Sequence, residues 1–196
     1  MNKKVARLVS LLGHPFLTIP LYTLIITFNI YDIRKALFVS AIILVGFFVP
    51  LIVWNLVRTK KGIYTNFDVS NQQQRNSMYL FALPLLAGVL IIFHFTNQET
   101  ALQTNILFGI ILLFTSYIVN FFIKCSGHMS LTIFLSFIIL PVNFIAAICL
   151  LVCAIVIGWS RLELKRHTFT EVMAGMFLGL ITGLTMLYCQ GYIKLV

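Results

Sequence analysis

Seven runs of apolar residues, almost free of charge, occupy most of this chain: Leu8 to Ile30, Ala36 to Val57, Met78 to Phe95, Asn105 to Ile123, Ser130 to Leu140, Val142 to Trp159 and Val172 to Tyr188. A helix crosses a bilayer core of about 30 Å with roughly 20 apolar residues, whereas barrel strands are about 10 residues long and alternate in polarity. No such alternation is present, so all seven runs are read as helical. Composition agrees: 60% of the residues are hydrophobic and 10% charged, with mean hydropathy +1.01, against roughly 25% charged in a soluble domain. Such apolarity excludes a soluble fold and a disordered chain, and four cysteines are too few for a disulfide scaffold. The expected fold is all-α, a polytopic transmembrane bundle of about six to seven helices, with residues 1–196 forming a single integral membrane domain.

Short polar connections separate the runs, at 31–35, 58–77, 96–104, 124–129 and 160–171. The longest, Arg58 to Ser77, exceeds a turn, and a loop of that size in a small protein is either functional or disordered. The first run is too long for a signal-peptide core and no A-x-A-like cleavage site follows it, so it is expected to stay in the membrane. Ser130 to Trp159 is the tightest case, because 30 residues are too few for two full crossings. A single helix of that length would reach about 45 Å and overshoot the core, and Pro141 would break it midway. A short hairpin turning at Pro141 and Asn143 is therefore expected, its polar ends set in a cavity within the protein rather than against lipid.

Seven crossings place the N-terminus and the connections at 58–77, 124–129 and 160–171 on one side. That side carries Lys3, Lys4, Arg7, Arg58, Lys60, Lys61, Arg75, Lys124, Arg161, Lys165 and Arg166, while the other holds Arg34, Lys35 and Lys194. The positive-inside rule makes the basic side cytoplasmic. The expected location is the inner membrane of a bacterium, as a multi-pass protein.

Three connections on the basic side carry residues suited to an anion. In the last, His167 and Glu171 stand four apart. If the 160–171 stretch is helical they share a face, and the carboxylate accepts a hydrogen bond from the nearer ring nitrogen, leaving the other to act as base or nucleophile. Glu163 is spaced for the same contact from the opposite direction. A structural account also fits: a basic membrane flank, LELKR, followed by a capped helix. In the second connection, Lys124-Cys125-Ser126-Gly127-His128 precedes a helix, where an N-cap hydroxyl and outward N–H groups favour an anion such as phosphate. His128 in the first turn would reach the same anion, although Ser and Gly also cap many helices with no ligand. The third is Arg75, with Lys60 and Lys61 upstream. An arginine fork matches phosphate oxygens, and equally anchors a helix end among lipid headgroups.

Together these segments resemble the signature of the type-2 phosphatidic acid phosphatase superfamily, which includes membrane lipid phosphatases, isoprenyl diphosphate phosphatases, glucose-6-phosphatase and vanadium haloperoxidases. Its pattern is K-x6-R-P, then P-S-G-H, then S-R-x5-H-x3-D. Ser160, Arg161 and His167 match the third block, with Glu171 in place of Asp. Ser126, Gly127 and His128 match the second, with Cys125 in place of its proline. The first keeps Arg75 alone, because Asp68 stands at the lysine position and Asn76 at the proline. The resemblance spans roughly residues 68–171, inside a phosphatase-like core expected at about 58–190.

The resemblance implies a membrane-embedded phosphatase that hydrolyses a lipid phosphate or a polyprenyl diphosphate through a phosphohistidine. It implies that His167 attacks phosphorus while Glu171 holds its imidazole, and that His128 protonates the leaving alkoxide and then activates water. Arg75, Arg161, Ser126 and the Gly127 N–H would stabilise the phosphoryl oxygens. Lys124, or Lys60 and Lys61, is the candidate for the positive charge that Asp68 does not supply. No metal or other cofactor is implied, and this region lacks the carboxylate cluster that Mg²⁺ would need. The expected partners are the substrate and membrane lipids, since basic residues draw an anionic headgroup; neither nucleic acid nor an obligate protein partner is inferred. The altered first block admits a second expectation, a catalytically silent lipid-binding or transport-related member. His14 and His94 are read as interface or packing residues, because a haem held between them would need both at one depth. Cys149 and Cys153, one turn apart, are read as small buried hydrophobes.

Overall fold

The structure, a computed structural model, describes residues 3–193, so Lys194 of the charge count above lies outside the described residues. In chain order the elements are α1 (Lys3–Leu12), α2 (Pro15–Ile30), α3 (Ile33–Ile43), a π-helical turn (Leu44–Phe48), α4 (Val49–Lys60), α5 (Gln72–Phe95), α6 (Thr100–Val119), α7 (Gly127–Ile139), α8 (Phe144–Glu163) and α9 (Phe169–Cys189). Five spans are long and apolar enough to cross a bilayer: Ile33–Lys60 through the π turn, α5, α6, α8 and α9. The helices α1 and α2, bent by 41° at their junction, add a sixth if taken as one broken span. The protein is therefore an all-α, polytopic membrane protein.

Two apolar runs are less continuous than the sequence suggests. The first breaks at Gly13-His14, since a residue before proline is pushed out of the α region, and Pro15 opens α2, where its missing N–H is no loss. The second widens into the π turn directly before Pro50, a residue with no N–H to donate to the preceding turn. The chain divides into two compact units, one of Thr23–Phe122 and one joining the residues up to Tyr22 to those from Ile123 onward.

In the Thr23–Phe122 unit, polar side chains pair with one another across helices, as apolar surroundings require. Thr27 Oγ1 lies 2.7 Å from Ser40 Oγ, joining α2 to α3. Trp54 of α4 stacks on Phe81 of α5 with ring centroids 4.1 Å apart, and its Nε1 donates to Tyr64 Oη. Tyr64 Oη in turn lies 2.6 Å from Ser77 Oγ, so the long 61–71 connection is folded back onto α5 rather than loose. Its Val69 is buried with φ of +44°, a strained value for a β-branched residue. Asn71 caps α5 by accepting from the N–H groups of Gln73 and Gln74. Asn120, just past α6, ties that end to the start of α5: its Nδ2 donates to Gln72 O and Asn76 Oδ1, each at 2.8 Å, and its carbonyl accepts from Gln72 Nε2.

In the other unit, α7 is packed between α8 and α9. At 1.5 Å per residue its 13 residues reach about 20 Å, and 10 of them are buried, so its short length faces protein rather than lipid. The chain turns at Leu140–Val142 as expected, and Asn143 caps α8 by accepting from the Ala146 N–H at 2.9 Å. Only α7 is short, because α8 runs for 20 residues. Along α9, Gly175, Gly179 and Gly183 recur every fourth position, and α7 lies directly on them. A Cβ there would come within 2.5 Å of Ser126 O, 2.5 Å of Ser130 O and 2.4 Å of the Phe137 ring. Small residues at this spacing let membrane helices approach to backbone contact. Helix α1 packs on α8, and a Cβ on Gly13 would overlap Ile157. Contrary to expectation, Cys149 and Cys153 are exposed on α8 rather than buried.

Candidate functional site

His167 stands between two opposed helix-capping motifs. Helix α8 ends in a Schellman turn: Lys165 takes φ of +54°, its N–H donates to Leu162 O, and the Arg166 N–H donates to Arg161 O. Helix α9 then opens with a capping box, Thr168 Oγ1 accepting from the Glu171 N–H while Glu171 reaches back to the Thr168 N–H. The 160–171 stretch is thus not one helix, as the spacing argument supposed. The expected pairing forms nonetheless, with His167 Nδ1 2.8 Å from Glu171 Oε2. The same Oε2 accepts from the Thr168 N–H at 3.3 Å, so one carboxylate oxygen serves both the helix start and the imidazole. The capped-helix account and the histidine–carboxylate account are both realised, and Glu171 rather than Glu163 is the partner. The His167 side chain is 0% exposed against 19% for Glu171. A carboxylate bound at Nδ1–H leaves the in-plane lone pair of the ring at Nε2.

The 124–128 segment is strapped to this turn. The Ser126 N–H donates to Glu171 O at 3.0 Å, and Lys124 Nζ donates to Arg166 O at 2.8 Å. Ser126 occupies the N-cap of α7, but its hydroxyl makes no capping bond, contrary to the role its position suggested. That Oγ is buried with no hydrogen-bond partner. Such an orphan costs about 1–3 kcal/mol, and a phosphate oxygen would satisfy it. Gly127 opens α7, and a Cβ added there would meet nothing within 4 Å, so the space beside its Cα is open. His128 follows in the first turn and is buried.

Arg161 in the last turn of α8 is fully buried, the largest side chain of which this is true among the described residues. Its Nη1 donates to Ser10 Oγ of α1 at 2.9 Å, and its carbonyl accepts from the His167 N–H at 3.4 Å. The His14 ring meets His128 edge to face, centroids 4.9 Å apart at 86°, and its Nδ1 accepts from the Phe16 N–H. Sequence reasoning does not single out Ser10, and it reads His14 as an interface or packing residue. The signal available for His14 was its place in a His-Pro break, while nothing in the sequence marks Ser10.

Seven of the eight expected site residues, Lys124, Ser126, Gly127, His128, Arg161, His167 and Glu171, fall in one unit. Arg75 belongs to the Thr23–Phe122 unit, where it is 5% exposed and its Nε donates to Val69 O at 3.0 Å. That burial removes it from the role of headgroup anchor. Asn76, at the position of the pattern's proline, uses its side chain to hold Asn120.

A family profile described as the PAP2 superfamily matches residues 91–194, a span that contains the second and third blocks and begins after Arg75. No curated protein and no solved structure matches the chain. With more than half of its length matched, the chain belongs to the PAP2 superfamily.

Proposed function

We propose that this protein is a membrane phosphatase that hydrolyses a lipid phosphate or a polyprenyl diphosphate, with His167 as the nucleophile. The observation that carries the reading is the 2.8 Å contact between His167 Nδ1 and Glu171 Oε2 on a buried imidazole. Attack by Nε2 in line with the leaving group forms an N–P bond and breaks the P–O bond to the leaving oxygen, that of a lipid alkoxide or, from a diphosphate, of the polyprenyl phosphate, and this oxygen takes a proton from His128. Neutral His128 then accepts a proton from water as that water attacks the phosphohistidine, releasing inorganic phosphate and restoring His167. Glu171 balances the positive charge on the imidazole. Arg161, the Ser126 hydroxyl and the Gly127 N–H meet the phosphoryl oxygens, where charge grows in the transition state. Lys124 adds positive potential to the same turn, and Arg75 is kept as a phosphate-binding candidate on the resemblance alone. The charge asymmetry supports an orientation with the basic connections cytoplasmic, and the inner membrane of a bacterium is the location proposed with it.

The test is release of inorganic phosphate by purified protein in detergent micelles containing EDTA, with phosphatidic acid and a polyprenyl diphosphate as substrates. Turnover is expected in EDTA, blocked by vanadate, and reduced at least about a thousandfold in His167→Ala. Full activity in His167→Ala rejects the nucleophile. No release from any lipid phosphate selects the silent lipid-binding reading, which the altered first block keeps in play.

A further inference from the structure

We propose that α1 is a working part of the phosphate site and that Ser10 is a positioning residue for Arg161; the inference rests on the reading of Arg161 as a phosphate ligand. A guanidinium taken out of water needs acceptors for its donors, and a buried charge held loosely is costly. Arg161 is fully buried, and Ser10 Oγ accepts from its Nη1 at 2.9 Å across 151 positions of chain. The bond is therefore tertiary and depends on how α1 sits. That seat is built in: Ala6 and Ser10 are the buried residues of α1, and Gly13 lies so close to the Ile157 side chain that a Cβ there would come within 2.4 Å of its Cδ1. One turn beyond Ser10 the chain leaves α1 at His14, whose ring is oriented by the Phe16 N–H and stands edge to face with His128. The first helix thus reaches the third block through Ser10, and the chain just past its end reaches the second block through His14.

A purely structural bond and a positioning bond differ in ligand binding, not in stability. If the bond is structural alone, Ser10→Ala takes an acceptor from a buried Arg161 donor and lowers thermal stability while the affinity for a phosphate analogue stays unchanged. If Ser10 holds Arg161, its removal loosens the guanidinium without disturbing the helix. The probe is vanadate, a tetrahedral phosphate analogue, with binding measured by isothermal titration on the purified full chain. Ser10→Ala is expected to weaken vanadate binding about tenfold or more, the size of a lost hydrogen bond to a charged group, and to raise KM for a lipid phosphate. Ser10→Thr, which keeps the hydroxyl, should stay within about threefold of wild type. In an Arg161→Lys background Ser10→Ala should have little further effect, because the two act as one unit. Vanadate binding by Ser10→Ala within about twofold of wild type overturns the inference, as does an equal loss in Ser10→Thr. Wild-type protein that binds vanadate but releases no phosphate sinks the phosphatase reading and leaves this one standing, whereas failure to bind vanadate sinks both.

Discussion

Gly175→Ala adds a single methyl group where α9 meets the carbonyl of Ser126. The new Cβ would lie 2.5 Å from that oxygen and 3.2 Å from the Ser126 nitrogen and carbonyl carbon, whereas real Cβ contacts stay beyond 3.0 Å. Both sides of the contact are backbone, so no rotamer absorbs the overlap and the Ser126 peptide must retreat by at least about 0.5 Å. The retreating residue holds the Ser126 N–H bond to Glu171 O and leads directly into Gly127 and His128. A misplacement of about 1 Å costs roughly a hundredfold in rate, so half of it costs about tenfold, or about 1.4 kcal/mol of transition-state stabilisation. The assay is kcat/KM for phosphate release from phosphatidic acid, set beside Gly183→Ala. There the Cβ would meet the Phe137 ring at 2.4 Å, an equal overlap some 15 Å along α7 from Gly127 at 1.5 Å per residue. Gly183→Ala should lower thermal stability while its folded fraction keeps activity within about threefold. Activity of Gly175→Ala within threefold of wild type, or equal losses in the two variants, would refute the reasoning.

Two further outcomes follow from the same geometry. Glu171→Gln should keep the capping box, which glutamine also closes, and so leave the midpoint of thermal unfolding within a few degrees, while phosphate release falls about 10²- to 10⁴-fold because an amide does not balance an imidazolium; matched losses of stability and rate would assign Glu171 to the helix alone. Asn120→Ala removes two donated hydrogen bonds at the junction of α5 and α6 and should destabilise the protein by about 1–2 kcal/mol, read as a drop of several degrees in thermal unfolding.

The helical architecture was legible because a bilayer leaves the chain few options: each crossing demands a long uncharged stretch, and the stretches are visible by eye. Breaks within those stretches were not all visible. Pro141 announced its turn through Asn143, but the bend at His14 and the π turn before Pro50 depend on how much neighbouring packing each proline meets. For the site, the spacing of His167 and Glu171 pointed to the right pair for an incomplete reason, since the contact crosses a capping box instead of following a helix face. The Ser10–Arg161 bond lay beyond reach because a single serine in an apolar helix carries no sign of what it will meet 151 positions away. The glycines at 175, 179 and 183 display their period in the sequence, yet only the fold reveals that α7 is the helix seated on them.

The double duty of Glu171 Oε2 makes the winding of the first turn of α9 and the aim of the His167 ring a single cooperative event. Helix ends open more readily than helix middles, with local free energies far below that of global unfolding. Each time this end frays, the imidazole loses its Glu171 bond together with the Thr168 N–H. Warming should therefore set the ring rotating before the rest of the protein melts.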